Sequence, residues 1–227
     1  MNLVFDWAWL PQLGRGLVLT VELTAACMAL GALVGIVLAL LRVYARGWLS
    51  PLYALASAYV HLFRGTPLLV QLMIVHFGLP NVGIVFTPFV SGLVAMALNT
   101  AAYQAEYFRG AIQSVKAGQM MAARSVGLTR LQAIRHVIIP QALRLVIPPW
   151  SNELIYMLKY SSIVYMVGAA DLMGVGRTIA AKNFRFLELF LVVAAIYLAV
   201  VLLLTLAMRW VEKRLRIPGL GTSGRGA

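Results

Sequence analysis

Long apolar runs are the feature that most constrains the fold of this chain. The first run covers residues 17–41 and is interrupted by one charge, Glu22, and by a few small polar residues. A helix needs about 20 mostly apolar residues to cross the hydrocarbon core of a bilayer. Only 11% of the 227 residues are charged, against about 25% in a typical soluble domain. The chain is therefore predicted to be an all-α integral membrane protein, which excludes a cytosolic enzyme, a disordered tail and a disulfide-built secreted module.

The apolar runs predict five transmembrane helices within a single transmembrane domain covering residues 1–227. The second run is broken by Arg64-Gly65-Thr66-Pro67, and six spans is the competing count if this break is a loop. No basic segment precedes the N-terminal aromatic residues, so no cleavable signal peptide is expected, and Phe5, Trp7 and Trp9 are predicted to be interfacial anchors. The expected spans are about 17–41, 52–79, 84–108, 147–170 and 189–208.

Lysine and arginine residues are distributed unequally between the two sides of this arrangement. One side carries thirteen of them against a single acidic residue, Glu212, whereas the other side carries Arg15, Arg177, Lys182 and Arg185 against three acidic residues. Because cytoplasmic loops are enriched in lysine and arginine, the N-terminus is predicted outside and the C-terminus in the cytoplasm. Topology and contact with membrane lipid thus explain the net charge of +12 better than nucleic-acid binding does. The thirteen residues are Arg42, Arg46, Arg109, Lys116, Arg124, Arg130, Arg135, Arg144, Arg209, Lys213, Arg214, Arg216 and Arg225.

The connecting segment at about 109–146 has the pattern of two short cytoplasmic helices. A helix is predicted over residues 119–126, with Gly127 as its C-terminal stop. Thr129 is predicted to cap a second helix that ends at Pro140. A basic amphipathic element of this kind can also lie flat among lipid headgroups.

The spacing within this segment resembles a known transport motif. Ala122 and Ala123 are followed by Gly127 after three residues, and by the sequence Val137-x-Ile139-Pro140 after nine more. This resembles the EAA loop of ABC-importer permeases, E-A-A-x3-G-x9-I-x-L-P. The stretches at 63–72 and 152–163 also resemble segments of the polar amino-acid permeases of that family, and the resemblance covers about residues 15–215.

Two residues depart from the pattern of these permeases. Met121 stands where the family usually has a glutamate, so a salt bridge made by that carboxylate is lost. Tyr160 stands where an acidic or small polar residue commonly follows the lysine. The first departure affects coupling and the second affects substrate preference.

The resemblance implies a machine with several subunits. ATP and Mg²⁺ would bind a separate ATPase subunit, because the sequence lacks the phosphate-binding pattern G-x4-G-K-[ST] and no cofactor is expected on this chain. An extracytoplasmic solute-binding protein would deliver the substrate in a prokaryotic inner membrane, and a second permease, identical or related, would complete a dimer. The expected ATPase-coupling residues are Met121, Ala122, Ala123, Gly127 and Pro140.

Two rival functions and one ambiguous motif accompany this interpretation. A stand-alone small helical channel or secondary transporter is the alternative, and it would transport without an ATPase. A membrane-embedded enzyme is disfavoured because H-E-x-x-H and G-x-S-x-G are absent, and no metal site is expected.

The small-residue motif formed by Gly31 and Gly35 fits either a dimer contact or packing within the chain.

Five ionisable residues fall inside the predicted spans, where a charge costs at least a few kcal/mol. They are Glu22, Arg64, Glu106, Glu153 and Lys159. Helical spacing places Asn99, Tyr103 and Glu106 on one face of the third span. It likewise places Asn152, Tyr156 and Lys159 on one face of the fourth, with Glu153 beside them.

An amino-acid zwitterion needs a cation or a helix N-terminus for its carboxylate and an anion for its ammonium group. Carbonyl groups freed at Pro67 and at the Pro148-Pro149 pair would add polar contacts. The alternative is that Glu153 and Lys159 form only interhelical ion pairs, and that Glu106 pairs with Arg109. The residues predicted to line the substrate pathway are Asn152, Glu153, Tyr156, Lys159, Ser161, Ser162, Arg64, Thr66 and Tyr103.

Overall fold

Helices form the part of the chain that the structure describes. The computed structural model describes residues 7–45 and 47–215, and these ranges contain no strand. The α-helices are α1 (Leu10–Tyr44), α2 (Ser50–Gly65), α3 (Leu68–Met73), α4 (Pro88–Ser114), α5 (Ala117–Ser125), α6 (Arg130–Ala133), α7 (Ile139–Tyr160), α8 (Leu172–Asn183) and α9 (Phe186–Leu215). Tighter 3-10 turns cover Trp7–Trp9, Gly47–Leu49, Leu79–Val82 and Ser161–Val167, and wider π turns cover Ile74–Gly78 and Ile134–Ile138. The predictions for Phe5, Arg46, Arg216, Arg225 and the Trp7 side chain lie outside the described residues.

The helices confirm the all-α class but not the count of five spans. Among the described residues, α1 and α9 are each long and apolar enough to cross a membrane. Two bent pairs raise the number to four if each pair is one span. They are Gly47–Gly65 with Leu68–Val82, bent by 103°, and Arg130–Val167 with Leu172–Asn183, bent by 49°.

The sharp bend between α2 and α3 coincides with the break predicted at residues 64–67. Proline has no N–H group, and it disfavours helical geometry in the residue before it. Thr66 accordingly adopts an extended conformation with φ −118° and ψ 143°, and Pro67 precedes the first residue of α3. The chain therefore turns away here instead of crossing in one straight helix.

Helix α4 lies at the centre of the packing and contacts α1, α2, α3 and α7. Its closest neighbour is α1, along the face that carries Gly31 and Gly35. A Cβ atom on Gly31 would lie 2.5 Å from Thr100 Cγ2, and one on Gly35 would lie 3.0 Å from the carbonyl oxygen of Ala101. The small-residue motif therefore packs within the chain, which confirms that alternative.

Replacing Gly35 by leucine is expected to destabilise the α1–α4 contact. The new side chain meets backbone atoms that cannot rotate away, and overpacking of this kind costs about 1–3 kcal/mol. The midpoint of thermal unfolding in detergent should fall by roughly 2–12 °C. Gly14→Leu is the matched control, because no atom lies within 4 Å of a Cβ built on Gly14. Equal shifts for the two variants would contradict this account of the contact.

The helix that Thr129 caps does not end at Pro140, so that prediction was wrong. Helical structure continues from Arg130 through α7 to Val167. The π turn at Ile134–Ile138 precedes Pro140, and its wider backbone accommodates a residue that lacks an N–H group. Pro148 and Pro149 also lie inside α7 and do not break it.

Two further boundaries differ from the predicted ones. The third span was expected from residue 84, whereas α4 begins at Pro88, with Thr87 as its N-cap. Residues 171–188 were expected to form a connecting segment, but most of them form α8 and the start of α9. Asp171 caps α8 by accepting hydrogen bonds from the backbone N–H groups of Gly174 and Met173, at 3.0 and 3.2 Å.

Candidate functional site

A cavity of about 610 Å³ lies between the α2–α3 break, α4 and α7. Its volume falls within the range typical of small-molecule sites. Five of the predicted pathway residues line it, namely Arg64, Thr66, Tyr103, Glu153 and Tyr156. The remaining lining residues are Gly65, Pro67, Leu68, Leu69, Asn99, Tyr107, Met157, Tyr160 and Ile163.

Glu153 is the carboxylate of this cavity, and it is almost completely buried. Its Oε1 accepts a hydrogen bond from Thr100 Oγ1 at 2.9 Å, and its Oε2 accepts one from the Tyr107 hydroxyl at 3.1 Å. Within residues 7–45 and 47–215, Glu153 makes no salt bridge, so the ion-pair alternative is wrong for it there. Each carboxylate oxygen accepts more than one hydrogen bond, so Glu153 keeps acceptor capacity for a cationic ligand group.

A second layer of hydrogen bonds orients the Thr100 hydroxyl. Gln104 Nε2 donates to Thr100 Oγ1 at 3.1 Å and to the Met28 carbonyl of α1 at 3.2 Å. Trp150 Nε1 donates to Gln104 Oε1 at 2.8 Å, which fixes the orientation of that amide. Since the Thr100 oxygen accepts from Gln104, its own proton is directed to Glu153.

Sequence reasoning missed Thr100, Gln104, Tyr107 and Trp150. A signal for three of them is present in α4, where Thr100, Gln104 and Tyr107 recur at helical spacing on one side of an apolar helix.

The carbonyl group that Pro67 frees is used inside the protein. An ordinary residue at 67 would donate its N–H group to the Phe63 carbonyl four residues earlier. In its place, Gln71 Nε2 and Asn99 Nδ2 donate to that carbonyl at 2.9 and 3.1 Å. Gln71 Nε2 also donates to Thr66 Oγ1 at 2.8 Å. The broken segment is therefore held rigidly against α4, and the Phe63 carbonyl is not left over for a substrate.

Arg64 brings positive charge to the same cavity. Its guanidinium carbon lies 5.2 Å from the centroid of the Tyr103 ring, a cation–π arrangement. Its Nη1 lies 3.9 Å from Glu106 Oε1. Arg64 therefore reaches both the cavity and the ionic cluster behind it.

Glu106 belongs to that cluster and does not line the cavity. It accepts hydrogen bonds from Arg42 of α1 and from Arg109, whose Nη2 is 2.6 Å from Oε2. The predicted Glu106–Arg109 pair is thus confirmed.

Four of the predicted pathway residues do not line the cavity. Asn152 is exposed on α7, and Lys159 Nζ lies 4.6 Å from the centroid of the Tyr156 ring. Ser161 and Ser162 donate to the carbonyl oxygens of Leu158 and Lys159, each at 2.7 Å. Their hydroxyl groups are therefore bonded to their own helical backbone.

No group of three metal-ligating side chains occurs in the described ranges.

The segment α5–α6 presents apolar side chains outward. Val126 is 78% exposed, and Met121 and Leu131 are also exposed. Ala122 faces outward, but Ala123 is buried against the chain itself, so Ala123 does not offer a surface to a partner. Pro140 is exposed in the first turn of α7.

Local structure in this segment follows the prediction closely. Gly127 follows α5 with φ +87°, and Thr129 forms a capping box with Gln132. Both the stop at Gly127 and the cap at Thr129 are confirmed. The two helices meet at a fixed turn that needs a residue tolerant of positive φ.

Comparison with known proteins places this architecture among transporters. Residues 31–217 match a family described as "Binding-protein-dependent transport system inner membrane component". The chain is 38% identical to the probable amino-acid ABC transporter permease protein PatM of Vibrio harveyi, covering 91% of this chain and 92% of PatM. It is 36% identical to the glutamine transport system permease protein GlnP of Escherichia coli K12, covering 94% of this chain and 99% of GlnP.

Solved structures give the same result for the fold. A crystal structure of an amino acid ABC transporter with histidines matches with a TM-score of 0.86 and 38% identity, covering 93% of this chain and 99% of that one. An inward-facing structure of the MetNI methionine ABC transporter matches with a TM-score of 0.80 at 22% identity, covering 94% of this chain and 100% of that one. The second similarity supports the fold alone.

Proposed function

This chain belongs to the family of binding-protein-dependent transport system inner membrane components, and we propose that it forms the translocation path of an ATP-driven importer for polar amino acids. It is a permease component and not itself an enzyme. We place it in a prokaryotic cytoplasmic membrane with five spans, the N-terminus outside and the C-terminus in the cytoplasm. Its partners in the proposal are a second permease, identical or related, an extracytoplasmic solute-binding protein and a separate ATPase that holds ATP and Mg²⁺.

The observation that carries the substrate class is the pair of opposite charges in one cavity. Glu153 supplies a buried carboxylate without an ionic partner in the described ranges, and Arg64 supplies a guanidinium group over Tyr103. An α-amino acid carries one ammonium and one carboxylate group, which this arrangement complements. In the proposal, Glu153 binds the ammonium group, Arg64 binds the carboxylate, and Thr100 and Tyr107 hold Glu153 in position.

In the proposal, ATP hydrolysis is coupled to transport through the exposed face of α5 and the turn after it. Val126, Met121 and Leu131 present an apolar surface that the described chain does not cover, and the exposed Arg124 and Arg130 lie close to these residues in the sequence. We propose that the ATPase covers this surface, together with Ala122. The helical run that begins with α6 continues into α7 and reaches Glu153 without interruption. Because α5 packs against α6 and the π turn at Ile134–Ile138, a displacement of α5 by the ATPase would be transmitted to the cavity through this run.

Glu153→Gln is expected to reduce ATP-dependent amino-acid uptake by at least about tenfold. The substitution keeps the shape of the side chain but removes the charge, and interactions with a charged group contribute about 1.5–3 kcal/mol. The measurement is uptake of radiolabelled amino acids by proteoliposomes that contain the permease, its ATPase and its binding protein.

Glu22→Gln is the matched control, because Glu22 is exposed on α1 and lies outside the cavity. Equal uptake by the Glu153 and Glu22 variants would contradict the role of Glu153. Transport by the permease alone, driven by an ion gradient without the ATPase, would instead support the stand-alone transporter.

A further inference from the structure

We infer that the cavity selects amino acids whose side chains are uncharged, such as a carboxamide, a neutral imidazole or an aromatic ring. This inference rests on the proposed function, because it takes Glu153 and Arg64 to hold the two charged groups that every amino acid carries. It concerns only the part of the substrate that differs from one amino acid to the next.

The two charged groups of the cavity lining pair with the ammonium and carboxylate groups that all amino acids share. Its lining contains one carboxylate, Glu153, and one cation, Arg64. Once these two groups bind the ammonium and carboxylate of the substrate, a charged side chain finds no counter-charge in the lining. Enclosing such an unpaired charge is unfavourable.

Lys159 does not supply the missing charge for an acidic substrate. It lies outside the cavity lining, and its ammonium group is placed over the Tyr156 ring at 4.6 Å. Both classes of charged side chain are therefore rejected.

Two tyrosine rings supply the surface for the variable side chain. Tyr156 and Tyr160 stack with their ring centroids 6.2 Å apart and their planes 21° apart, and both are half exposed. Met157 and Ile163 continue the apolar part of the same wall. Because the Lys159 ammonium lies over the Tyr156 ring, a flat group packs face to face on Tyr160, without losing a hydrogen bond that the wall would have to replace.

Direct binding to the permease–ATPase complex in lipid nanodiscs tests this selectivity. The solute-binding protein is omitted because it has a selectivity of its own. The probes are tritiated glutamine, histidine, arginine and glutamate at pH 7.5, where free histidine is mostly neutral in its side chain. Glutamine and histidine should bind at least about tenfold more tightly than arginine and glutamate, since the latter two bring an unpaired charge.

The variants Tyr160→Asp and Tyr160→Asn distinguish the effect of an added negative charge on arginine binding from the effect of losing the tyrosine ring. The aspartate adds a second carboxylate to the lining, so arginine should bind about tenfold more tightly than it does to the unmodified complex. The asparagine has the same shape without the charge and should leave arginine binding weak. Co-elution of the permease and the ATPase on size-exclusion chromatography checks that both variant complexes are assembled.

Three outcomes overturn the inference. The first is that the unmodified complex binds arginine or glutamate as tightly as glutamine. The second is that the asparagine variant gains as much arginine binding as the aspartate variant. The third is that an assembled aspartate variant gains no arginine binding. Each of these leaves the proposed function intact if the complete importer still takes up an amino acid with ATP. Failure of the complete importer to take up any amino acid would instead count against the proposed function.

Discussion

Glu106→Gln is expected to lower the free energy of unfolding by about 3 kcal/mol, the cost of leaving buried cations without their anion. The Glu106 side chain is 16% exposed and that of Arg42 is 9% exposed, so water does not replace the lost carboxylate well. Arg109 also bonds to this carboxylate. The neutral amide accepts fewer hydrogen bonds and leaves the positive charges to repel one another.

Thermal unfolding of the purified permease in detergent measures this effect. The midpoint should fall by roughly 6–12 °C, from about 2–4 °C per kcal/mol for a chain of this length. Arg109→Gln should have a smaller effect, because the Arg109 side chain is 31% exposed and Arg42 still holds Glu106.

A double substitution identifies the cause of the loss. Arg42→Met combined with Glu106→Gln should recover part of the stability, because it removes the most buried of the unpaired cations. A Glu106→Gln variant as stable as Glu22→Gln would show that the cluster contributes little. A double variant less stable than Glu106→Gln would show that the cost does not come from an unpaired charge on Arg42.

Local signals in the sequence were sufficient to predict where the helices of the α5–α6 segment end and begin. The stop at Gly127 and the cap at Thr129 depend on backbone conformation and on hydrogen bonds within four residues, so the residue types alone determine them. Pro67 was informative for the same reason. The prediction that the second helix ends at Pro140 was wrong because the neighbouring π turn accommodates this proline, and that turn has no clear residue signature.

The site was only partly predictable because it depends on the register between helices. The spacing of ionisable residues pointed to Glu153 and Arg64, which do line one cavity. It did not reveal that Thr100 and Tyr107 of α4 would meet Glu153 of α7, or that Trp150 would fix Gln104. Such contacts follow from the packing of α4 against α7, and one sequence contains no direct record of that packing.

The turn at Gly127 gives the second large effect, because Gly127→Val is expected to abolish most ATP-dependent uptake while the chain still inserts into the membrane. Gly127 has φ +87°, and no atom lies within 4 Å of a Cβ built there, so backbone conformation and not crowding decides the result. A side chain in this region costs about 1–2 kcal/mol. A branched Cβ adds to the strain.

The strain acts on the surface that the ATPase is proposed to cover. Val126 immediately precedes the turn, and Met121 and Leu131 lie on either side of it, so a changed turn separates the apolar residues of one surface. A cost of 1–2 kcal/mol reduces the docking-competent population by about 5- to 30-fold. Uptake should fall by a similar factor.

Uptake by proteoliposomes, co-purification of the ATPase and the amount of permease in membranes are the three measurements for Gly127→Val. Gly127→Asn is the matched control, since asparagine tolerates positive φ and should retain most uptake. Loss of uptake with normal insertion and weaker ATPase co-purification is the expected pattern, because the turn lies outside the cavity that is proposed to bind the substrate. Normal uptake by the valine variant would mean that the ATPase does not depend on this turn. Equal losses for valine and asparagine would mean that side-chain bulk, not backbone strain, disrupts the contact.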